Sequence, residues 1–225
     1  MLSIPLSLGL GLSLAALAMA SCRASEVEIE PDLSTNVYEF TLTANDGSEY
    51  PLAQHRGKVV LLVNTASRCG FTKQYKGLQA LHADYADKGL VVIGVPSNDF
   101  MGQEPGTDEE IAEFCEINFG VSFPLMARSV VKGEAIIPLY DYLTKRSHFP
   151  AVISWNFNKF LIGPDGVVID RQGSRATPES MRETIESALA ALPQPEEPVT
   201  EEAATSEGED TADSPEPEKT EEPKE

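Results

Sequence analysis

The chain has little positive charge. Its 225 residues include 17 lysines and arginines against 36 aspartates and glutamates, which gives a formal net charge of −19. No basic stripe or cluster offsets this excess of acid, and a nucleic-acid-binding protein depends on one to neutralise phosphates. The composition therefore excludes nucleic acid as an expected partner.

Cysteine and histidine are scarce, with three of each. None of His55, His82 and His148 belongs to a recognisable motif, which argues against a cysteine hydrolase, because that class pairs its nucleophile with a base. Thr72 stands where a C-x-x-C motif beginning at Cys69 would need its second cysteine. The usual signature of a thiol-disulfide oxidoreductase is therefore missing.

The acidity is concentrated at the C-terminal end. From Pro193 to Glu225 thirteen acidic residues stand against two lysines, a net charge of −11, with proline, threonine, serine and alanine between them. Such a segment cannot bury enough apolar surface to offset the entropy lost on ordering. We expect residues 193–225 to form a disordered tail that solubilises or spaces the protein and has no dedicated partner.

The N-terminal segment predicts export. Residues 2–20 carry no charge and are almost all small or apolar, as in a secretory signal. Ala18-Met19-Ala20 fits a cleavage site, whereas Met19-Ala20-Ser21-Cys22 resembles a bacterial lipoprotein box in which Cys22 is lipidated. We favour a lipoprotein signal over residues 1–21. No lysine or arginine precedes the apolar segment, so an uncleaved anchor stays open. All three interpretations place the domain outside the cytoplasm, in the cell envelope (periplasmic or lipid-anchored) or, as an alternative, secreted.

Residues 59–95 predict a βαβ unit. The run Val59-Val60-Leu61-Leu62-Val63 is too short to span a membrane and is rich in β-branched residues, which favours a strand buried on both faces. Apolar and aromatic residues then recur at helical spacing over residues 72–86, and Lys88-Gly89 ends that helix. A second apolar run at residues 90–95 completes the unit, so the two strands should be parallel.

Cys69 lies in the turn between this strand and this helix. The partial positive charge at the helix N-terminus, together with Arg68 and Lys73, should stabilise a thiolate and lower the pKa of Cys69. A buried cysteine that serves as a small apolar residue is the alternative. The arginine, glycine and threonine around it favour a reactive cysteine.

Hairpins and helices are predicted on both sides of the βαβ unit. An N-terminal hairpin spans residues 38–52. Thr107 and Glu110 form a capping box that begins a helix ending at Gly120. A short strand is expected at Phe123-Pro124-Leu125-Met126. The remaining predictions are a helix over residues 137–146, a hairpin whose strands are 155–162 and 167–169, and a final helix begun by Thr177-Pro178-Glu179.

This order of elements is that of a thioredoxin-like α/β domain, with a central mixed sheet flanked by helices, over residues 37–192. Residues 22–36 are then a linker. Three blocks of sequence are more specific than this order of elements. They are Asn64-x-Ala66-Ser67-x-Cys69-Gly70-Phe71-Thr72, Gly102-Gln103-Glu104-Pro105-Gly106 and Trp155-Asn156-Phe157-x-Lys159-Phe160. All three resemble signature blocks of the glutathione peroxidase family, in the same order along the chain.

The resemblance assigns a role to each block. It implies that Cys69 is the peroxidatic cysteine and that Gln103, Trp155 and Asn156 complete the catalytic tetrad of the family. A thiolate that attacks a peroxide bond needs hydrogen-bond donors that do not titrate, and a carboxamide and an indole N–H meet that need. Asn156 or a bound water is a candidate relay for the proton of the leaving oxygen. The resemblance implies no cofactor and no metal.

Attack on a peroxide leaves Cys69 as a sulfenic acid, which a second thiol can convert into a disulfide. By resemblance to the thioredoxin-dependent branch of the family, Cys115 is the resolving cysteine. Cys115 falls on the apolar face of its helix, so a packing role is the alternative. A disulfide needs Cα atoms within about 7 Å of each other. We therefore expect this helix to unfold in part during the cycle.

Two departures from the family pattern bear on the reductant. Ser97 stands where many relatives carry a further cysteine, and residues 126–155 lack the insertion that tetrameric relatives use for assembly and for shaping a glutathione site. A thioredoxin-like reductant is therefore favoured over glutathione, and a monomer over a tetramer.

Hydrogen peroxide and organic or lipid hydroperoxides are the candidate oxidants. A thiol-disulfide oxidoreductase and a peroxide sensor that relays oxidation to a partner stay open as alternatives.

Overall fold

The computed structural model of the chain describes residues 35–193, which form six strands and four α-helices. The strands are β1 (Thr41–Thr43), β2 (Glu49–Pro51), β3 (Val59–Thr65), β4 (Leu90–Pro96), β5 (Lys159–Ile162) and β6 (Val168–Gln172). The α-helices are α1 (Gln74–Tyr85), α2 (Asp108–Phe119), α3 (Pro138–Lys145) and α4 (Arg182–Ala190).

Strand β3 lies inside the main sheet, and all seven of its residues are buried. It pairs in parallel with β4 and antiparallel with β5, while β6 pairs antiparallel with β5, so the sheet order is β4–β3–β5–β6. An apolar run buried on both faces is what this position requires. The predicted mixed sheet and the predicted parallel pair are confirmed.

Alternating side chains of β3 build a core on each face of the sheet. Val60 and Leu62 pack in a cluster that also contains apolar residues of α3 and of the N-terminal hairpin. Leu61 and Val63 pack in a second cluster with residues of α1, α2 and α4. Cys115 belongs to this second cluster, and the half-buried Cys69 packs against it. Both cysteines of the described residues therefore lie on this face of the sheet, Cys115 on α2 and Cys69 in the turn before α1.

The predicted N-terminal hairpin is present but shorter than expected. Strands β1 and β2 pair antiparallel from Thr41 opposite Pro51 to Thr43 opposite Glu49. Tyr38, which was placed in the first strand, instead lies in a 3₁₀ turn (Val37–Glu39). Its hydroxyl lies 3.1 Å from the carbonyl oxygens of both His55 and Pro164, so a specific tertiary contact competes with the strand pattern here.

The predicted strand at Phe123–Met126 is wrong, because the segment forms only two isolated bridges. Leu125 bridges to Gly94 of β4 in parallel, and Met126 bridges to Ala44 at the end of β1. Pro124 has no N–H to donate, and the next two residues pair with different partners, so no ladder can extend. The segment joins the hairpin to the edge of the main sheet.

The helices begin close to where the sequence predicts. Helix α1 starts at Gln74, after a turn over residues 71–73, and helix α4 follows a 3₁₀ turn (Pro178–Met181). The capping box of α2 is complete, since Thr107 Oγ1 accepts from the Glu110 N–H and Glu110 Oε2 accepts from the Thr107 N–H. Strand β5 begins at Lys159 rather than at Trp155, for a reason that belongs to the site described below.

Several predictions about the two ends of the chain concern residues outside 35–193. They are the signal over residues 1–21, the acceptor Cys22, most of the linker and the acidic tail. Within the described part of the chain, no helix is long and apolar enough to cross a membrane.

We predict that Thr107→Ala lowers the free energy of unfolding by about 1 kcal/mol, because it removes the side-chain cap of α2. Thr177→Ala is the matched control. Thr177 is also an exposed N-cap residue, but its side chain makes no cap hydrogen bond. Urea unfolding followed by circular dichroism measures both changes, and equal losses in the two variants would contradict the prediction.

Candidate active site

The turn that carries Cys69 is braced by Thr72. The Cys69 N–H donates to Thr72 Oγ1 at 2.9 Å, and the same hydroxyl donates to the carbonyl of Ala66 at 2.8 Å. The Thr72 N–H in turn donates to the Cys69 carbonyl at 3.1 Å. The residue at the C-x-x-C position is therefore a structural brace. It holds the half-buried Cys69 thiol between the end of β3 and the start of α1.

The Cys69 sulfur itself meets the backbone of the following turn. The Phe71 N–H points at Cys69 Sγ across 3.5 Å. A backbone N–H directed at sulfur stabilises negative charge there, as the N–H groups at the beginning of a helix do. The predicted position of Cys69, in a strand-to-helix turn, is confirmed.

Gln103 and Asn156 meet through their carboxamides. Nδ2 of the buried Asn156 donates to Oε1 of Gln103 at 3.1 Å. Because its oxygen is engaged, Gln103 presents its Nε2 hydrogens to whatever lies beside it. The Gln103 carbonyl accepts from the Arg68 N–H at 3.0 Å, which joins this loop to the residue before Cys69. Three distant segments are therefore tied together around the Cys69 turn.

Trp155 lies half-buried on the other side of Asn156. Its ring contacts Phe100 with 5.7 Å between ring centroids. Trp155 and Phe71, two residues after Cys69, line a cavity of about 720 Å³ together with Ser174 and Arg175. The cavity is open to solvent, and Phe71 places it next to the Cys69 turn.

Asn64 holds the turn that contains Trp155 and Asn156. Its Oδ1 accepts from the Asn158 N–H at 2.9 Å, and its Nδ2 donates to the Trp155 carbonyl at 3.1 Å. Its backbone carbonyl accepts from the Phe157 N–H at 2.6 Å. These bonds fold residues 155–158 into a turn with Phe157 at φ 64°, so β5 cannot begin before Lys159.

A buried lysine completes this turn. Lys159 Nζ donates to the Phe157 carbonyl at 2.8 Å, and burial lowers the pKa of Lys159 to about 8, an effect that Glu179 partly offsets. Asn64 and Lys159 belong to the sequence blocks described above, but no role was predicted for either side chain. The signal was present, since a polar residue in a strand that is otherwise apolar must find partners.

Cys115 lies on the buried face of α2, as predicted. Its side chain is 0% exposed, and it interacts with the Tyr75 hydroxyl. Burial is the main cause that raises the pKa of Cys115 to about 11. Cys115 and Cys69 are both free thiols. The structure therefore places the predicted resolving thiol in a site where it is protonated and shielded from solvent.

Glu104 is a residue that the sequence analysis left without a role. It follows Gln103, yet its side chain is 0% exposed and neither carboxyl oxygen has a well-formed hydrogen bond. Burial raises the pKa of Glu104 to about 7, although Ser67, Arg128 and Arg68 oppose the shift. A glutamate between glutamine and proline suggests an exposed loop, so only the fold reveals its burial.

No metal site accompanies these residues. Within residues 35–193, no group of three or more histidine, cysteine, aspartate or glutamate side chains is arranged to hold a metal ion.

The sequence of this chain is similar to a known family over most of the described residues. The sequence model of the family "Glutathione peroxidase" matches residues 37–144. The glutathione peroxidase-like peroxiredoxin gpx1 of Schizosaccharomyces pombe is 46% identical over 157 residues, which are 69% of this chain and 99% of that protein. The glutathione peroxidase homolog BsaA of Staphylococcus aureus is 45% identical over 155 residues, 68% of this chain and 98% of that protein.

Solved structures agree with this likeness. The crystal structure of T. cruzi GPX1 has a TM-score of 0.57 at 32% identity and covers 69% of this chain and 97% of that one. The crystal structure of Trgpx in its apo form has a TM-score of 0.58 at 37% identity, with 71% and 98% covered. A thioredoxin-family thiol:disulfide interchange protein from Chlorobium tepidum, 16% identical with a TM-score of 0.52 over 67% of this chain and 92% of that one, shares the fold alone. The fold is thioredoxin-like, as predicted, and the chain belongs to the glutathione peroxidase family.

Proposed function

We propose that this protein is a thiol peroxidase in which Cys69 attacks the hydroperoxide. The observation that carries the proposal is the hydrogen bond from Asn156 to Gln103, on a loop that is itself bonded to the residue before Cys69. These two bonds hold the Gln103 amide on a loop that is joined to the Cys69 turn, which supports a role for its N–H group at the reacting sulfur. The names of the S. pombe and S. aureus relatives, a glutathione peroxidase-like peroxiredoxin and a glutathione peroxidase homolog, support the same activity.

The first step oxidises Cys69. Its thiolate attacks the terminal oxygen of the hydroperoxide, the O–O bond breaks, and Cys69 becomes a sulfenic acid while water or an alcohol leaves with a proton. The Gln103 amide and the Trp155 indole N–H stabilise the thiolate before attack and the negative charge that develops on the leaving oxygen as the O–O bond breaks. Asn156 orients Gln103 through the 3.1 Å bond, and a bound water passes the proton to the leaving oxygen.

The second step forms a disulfide between Cys69 and Cys115. Cys115 is fully buried on α2, so part of this helix must open before the two sulfurs can approach. A dithiol reductant of the thioredoxin type then attacks the disulfide and restores both thiols. Glutathione is the alternative reductant. The structure supports the dithiol, because a single short helix, α3, lies between Met126 and Trp155 and offers no further domain to shape a glutathione site or a tetramer interface.

We also propose that the protein works in the cell envelope, tethered through a lipidated Cys22 after cleavage of residues 1–21. The lipoprotein-like box Met19-Ala20-Ser21-Cys22 supports this placement. Outside the cytoplasm disulfides persist, so the reductant must be a dithiol protein that is itself supplied with electrons across the membrane. A lipid tether would bring the site close to membrane lipid hydroperoxides.

The central test is peroxide-dependent oxidation of a reduced thioredoxin by the purified protein. We expect steady turnover with the wild type, none with Cys69→Ser, and a single oxidation without thioredoxin turnover with Cys115→Ser. Glutathione at the same thiol concentration should sustain a slower rate. A wild type that oxidises once and then stops would contradict the enzyme and indicate a sensor. Thioredoxin oxidation in the absence of peroxide would indicate a thiol-disulfide oxidoreductase.

A double-mutant cycle tests the pair Gln103 and Asn156. We expect Gln103→Ala to lower the second-order rate constant for peroxide about 100-fold, as loss of one donor does in oxyanion sites. Asn156→Ala should lower it less, and the double variant should resemble Gln103→Ala, because Asn156 acts through Gln103. Asn118→Ala, which removes an exposed amide from α2, is the control. Losses that multiply in the double variant would contradict this coupling.

The tether is tested with the full chain expressed in bacteria. We expect the wild type in the membrane fraction, with an N-terminal cysteine that carries lipid, and Cys22→Ala in a soluble or uncleaved form. Mass spectrometry of the N-terminal peptide distinguishes the outcomes. A mature chain that begins at Ser21 would instead indicate an ordinary signal, and one that retains residues 1–21 would indicate an uncleaved anchor.

A further inference from the structure

The buried carboxyl of Glu104 is in an unusual state for a surface loop. Both of its oxygens are inaccessible and lack a well-formed hydrogen bond. Its backbone is held firmly, because the Glu104 N–H donates to Asn98 Oδ1 at 2.9 Å and the Glu104 carbonyl accepts from Arg128 Nη1 at 3.2 Å. A buried carboxyl without a well-formed hydrogen bond is costly unless it has a use.

Glu104 lies between the two segments that carry the cysteines. It lines a cavity of about 290 Å³ together with Ser67 and Arg68, which precede Cys69, and with Ile111 and Phe114, which lie on α2 beside Cys115. Its charge also acts on the Cys115 thiol and on the Tyr75 hydroxyl. The fold therefore places Glu104 between the Cys69 turn and α2, the two segments that carry the thiols.

The proposed disulfide step needs a proton acceptor. A thiolate, not a thiol, attacks the sulfenic sulfur, and Cys115 rests as a thiol with a pKa of about 11. The Tyr75 hydroxyl interacts with both the Cys115 thiol and the Thr65 hydroxyl, without well-formed hydrogen-bond geometry. Burial raises the pKa of Tyr75 well above its usual value, so Tyr75 can relay a proton but cannot be the base.

We propose that Glu104 accepts the proton of Cys115 when the disulfide with Cys69 forms, either directly or through the Tyr75 hydroxyl. This inference rests on the proposed function. In the step, the sulfur of Cys115 attacks the sulfenic sulfur of Cys69, the S–S bond forms and the S–O bond breaks. The Cys115 sulfur is oxidised and the Cys69 sulfur reduced. The proton held by Glu104 returns to the departing hydroxide, which leaves as water.

The energetics of the transfer favour a short-lived intermediate. The thiol is the weaker acid, so the proton moves uphill to Glu104 and the thiolate exists only briefly. Transfer also exchanges a buried carboxylate for a buried thiolate. Burial disfavours that thiolate, which therefore gains free energy by leaving its site and reacting with Cys69.

The direction of the pH dependence follows from the groups that face Glu104. Arg68 on the Cys69 turn and Arg128 favour its ionised form, whereas burial favours the neutral form and wins, which places the pKa at about 7. Glu110 and Cys115 on α2 and Tyr75 on α1 complete its surroundings. Below pH 7 the carboxyl is protonated and cannot accept, so the disulfide step should speed up as the pH rises through about 7.

A single-turnover experiment on the full chain separates the two steps. Reduced protein is mixed with one equivalent of hydrogen peroxide between pH 5.5 and 8.5, quenched with a thiol-alkylating reagent, and analysed by mass spectrometry for the Cys69 sulfenic acid and for the Cys69–Cys115 disulfide. In Glu104→Gln, we expect the disulfide to form about 100-fold more slowly at pH 8, as loss of a general base does, and to lose its rise through pH 7. Glu104→Asp should restore the rise in part.

Glu113→Gln, an exposed glutamate on α2, is the matched control and should behave like the wild type. Disulfide formation in Glu104→Gln at the wild-type rate would overturn the inference, as would a faster rate, which would mean that Glu104 only suppresses the thiolate. A flat pH profile in the wild type would overturn it without any variant. Failure of the wild type to form the sulfenic acid would instead overturn the proposed function.

Discussion

The buried side chain of Asn64 is the contact on which the site depends. It stands near the end of β3, five residues before Cys69, and both ends of its carboxamide bind the turn of Trp155–Asn158. A buried carboxamide without hydrogen-bond partners costs free energy. Moving the Trp155–Asn158 turn away from Asn64 would therefore destabilise the folded protein. One residue of the central strand therefore sets the position of the tryptophan and the asparagine relative to the cysteine.

A second constraint is the chain of braces around the cysteine turn. Thr72 closes the turn on itself, and the Gln103 carbonyl ties the next loop to Arg68. The apolar cores on both faces of the sheet hold the underlying strands, and these hydrogen bonds tie together the loops at the strand ends. Rigid strands with short braced turns are the kind of scaffold that keeps reacting groups in position.

On the α2 side the structure stores reactive groups in a protected form. Cys115 rests buried and protonated, and Glu104 lies beside it with a pKa near neutrality. Burial shields the Cys115 thiol from oxidants, and the disulfide step that we propose therefore needs both an opening of the helix and a proton acceptor. Burial therefore has two effects here: it keeps the Cys115 thiol protonated, and it raises the pKa of the Glu104 carboxyl towards neutrality.

The sequence by itself determined the elements whose signals are local. The apolar runs of β3 and β4, the capping box at Thr107 and the motif around Cys69 all appear in the structure where they were predicted, because spacing and cap chemistry act over a few residues. Only the tertiary structure decided the ends of β5, the loss of the strand around Pro124 and the burial of Glu104. Each of these depends on a partner far away in the chain, and local patterns carry no information about such partners.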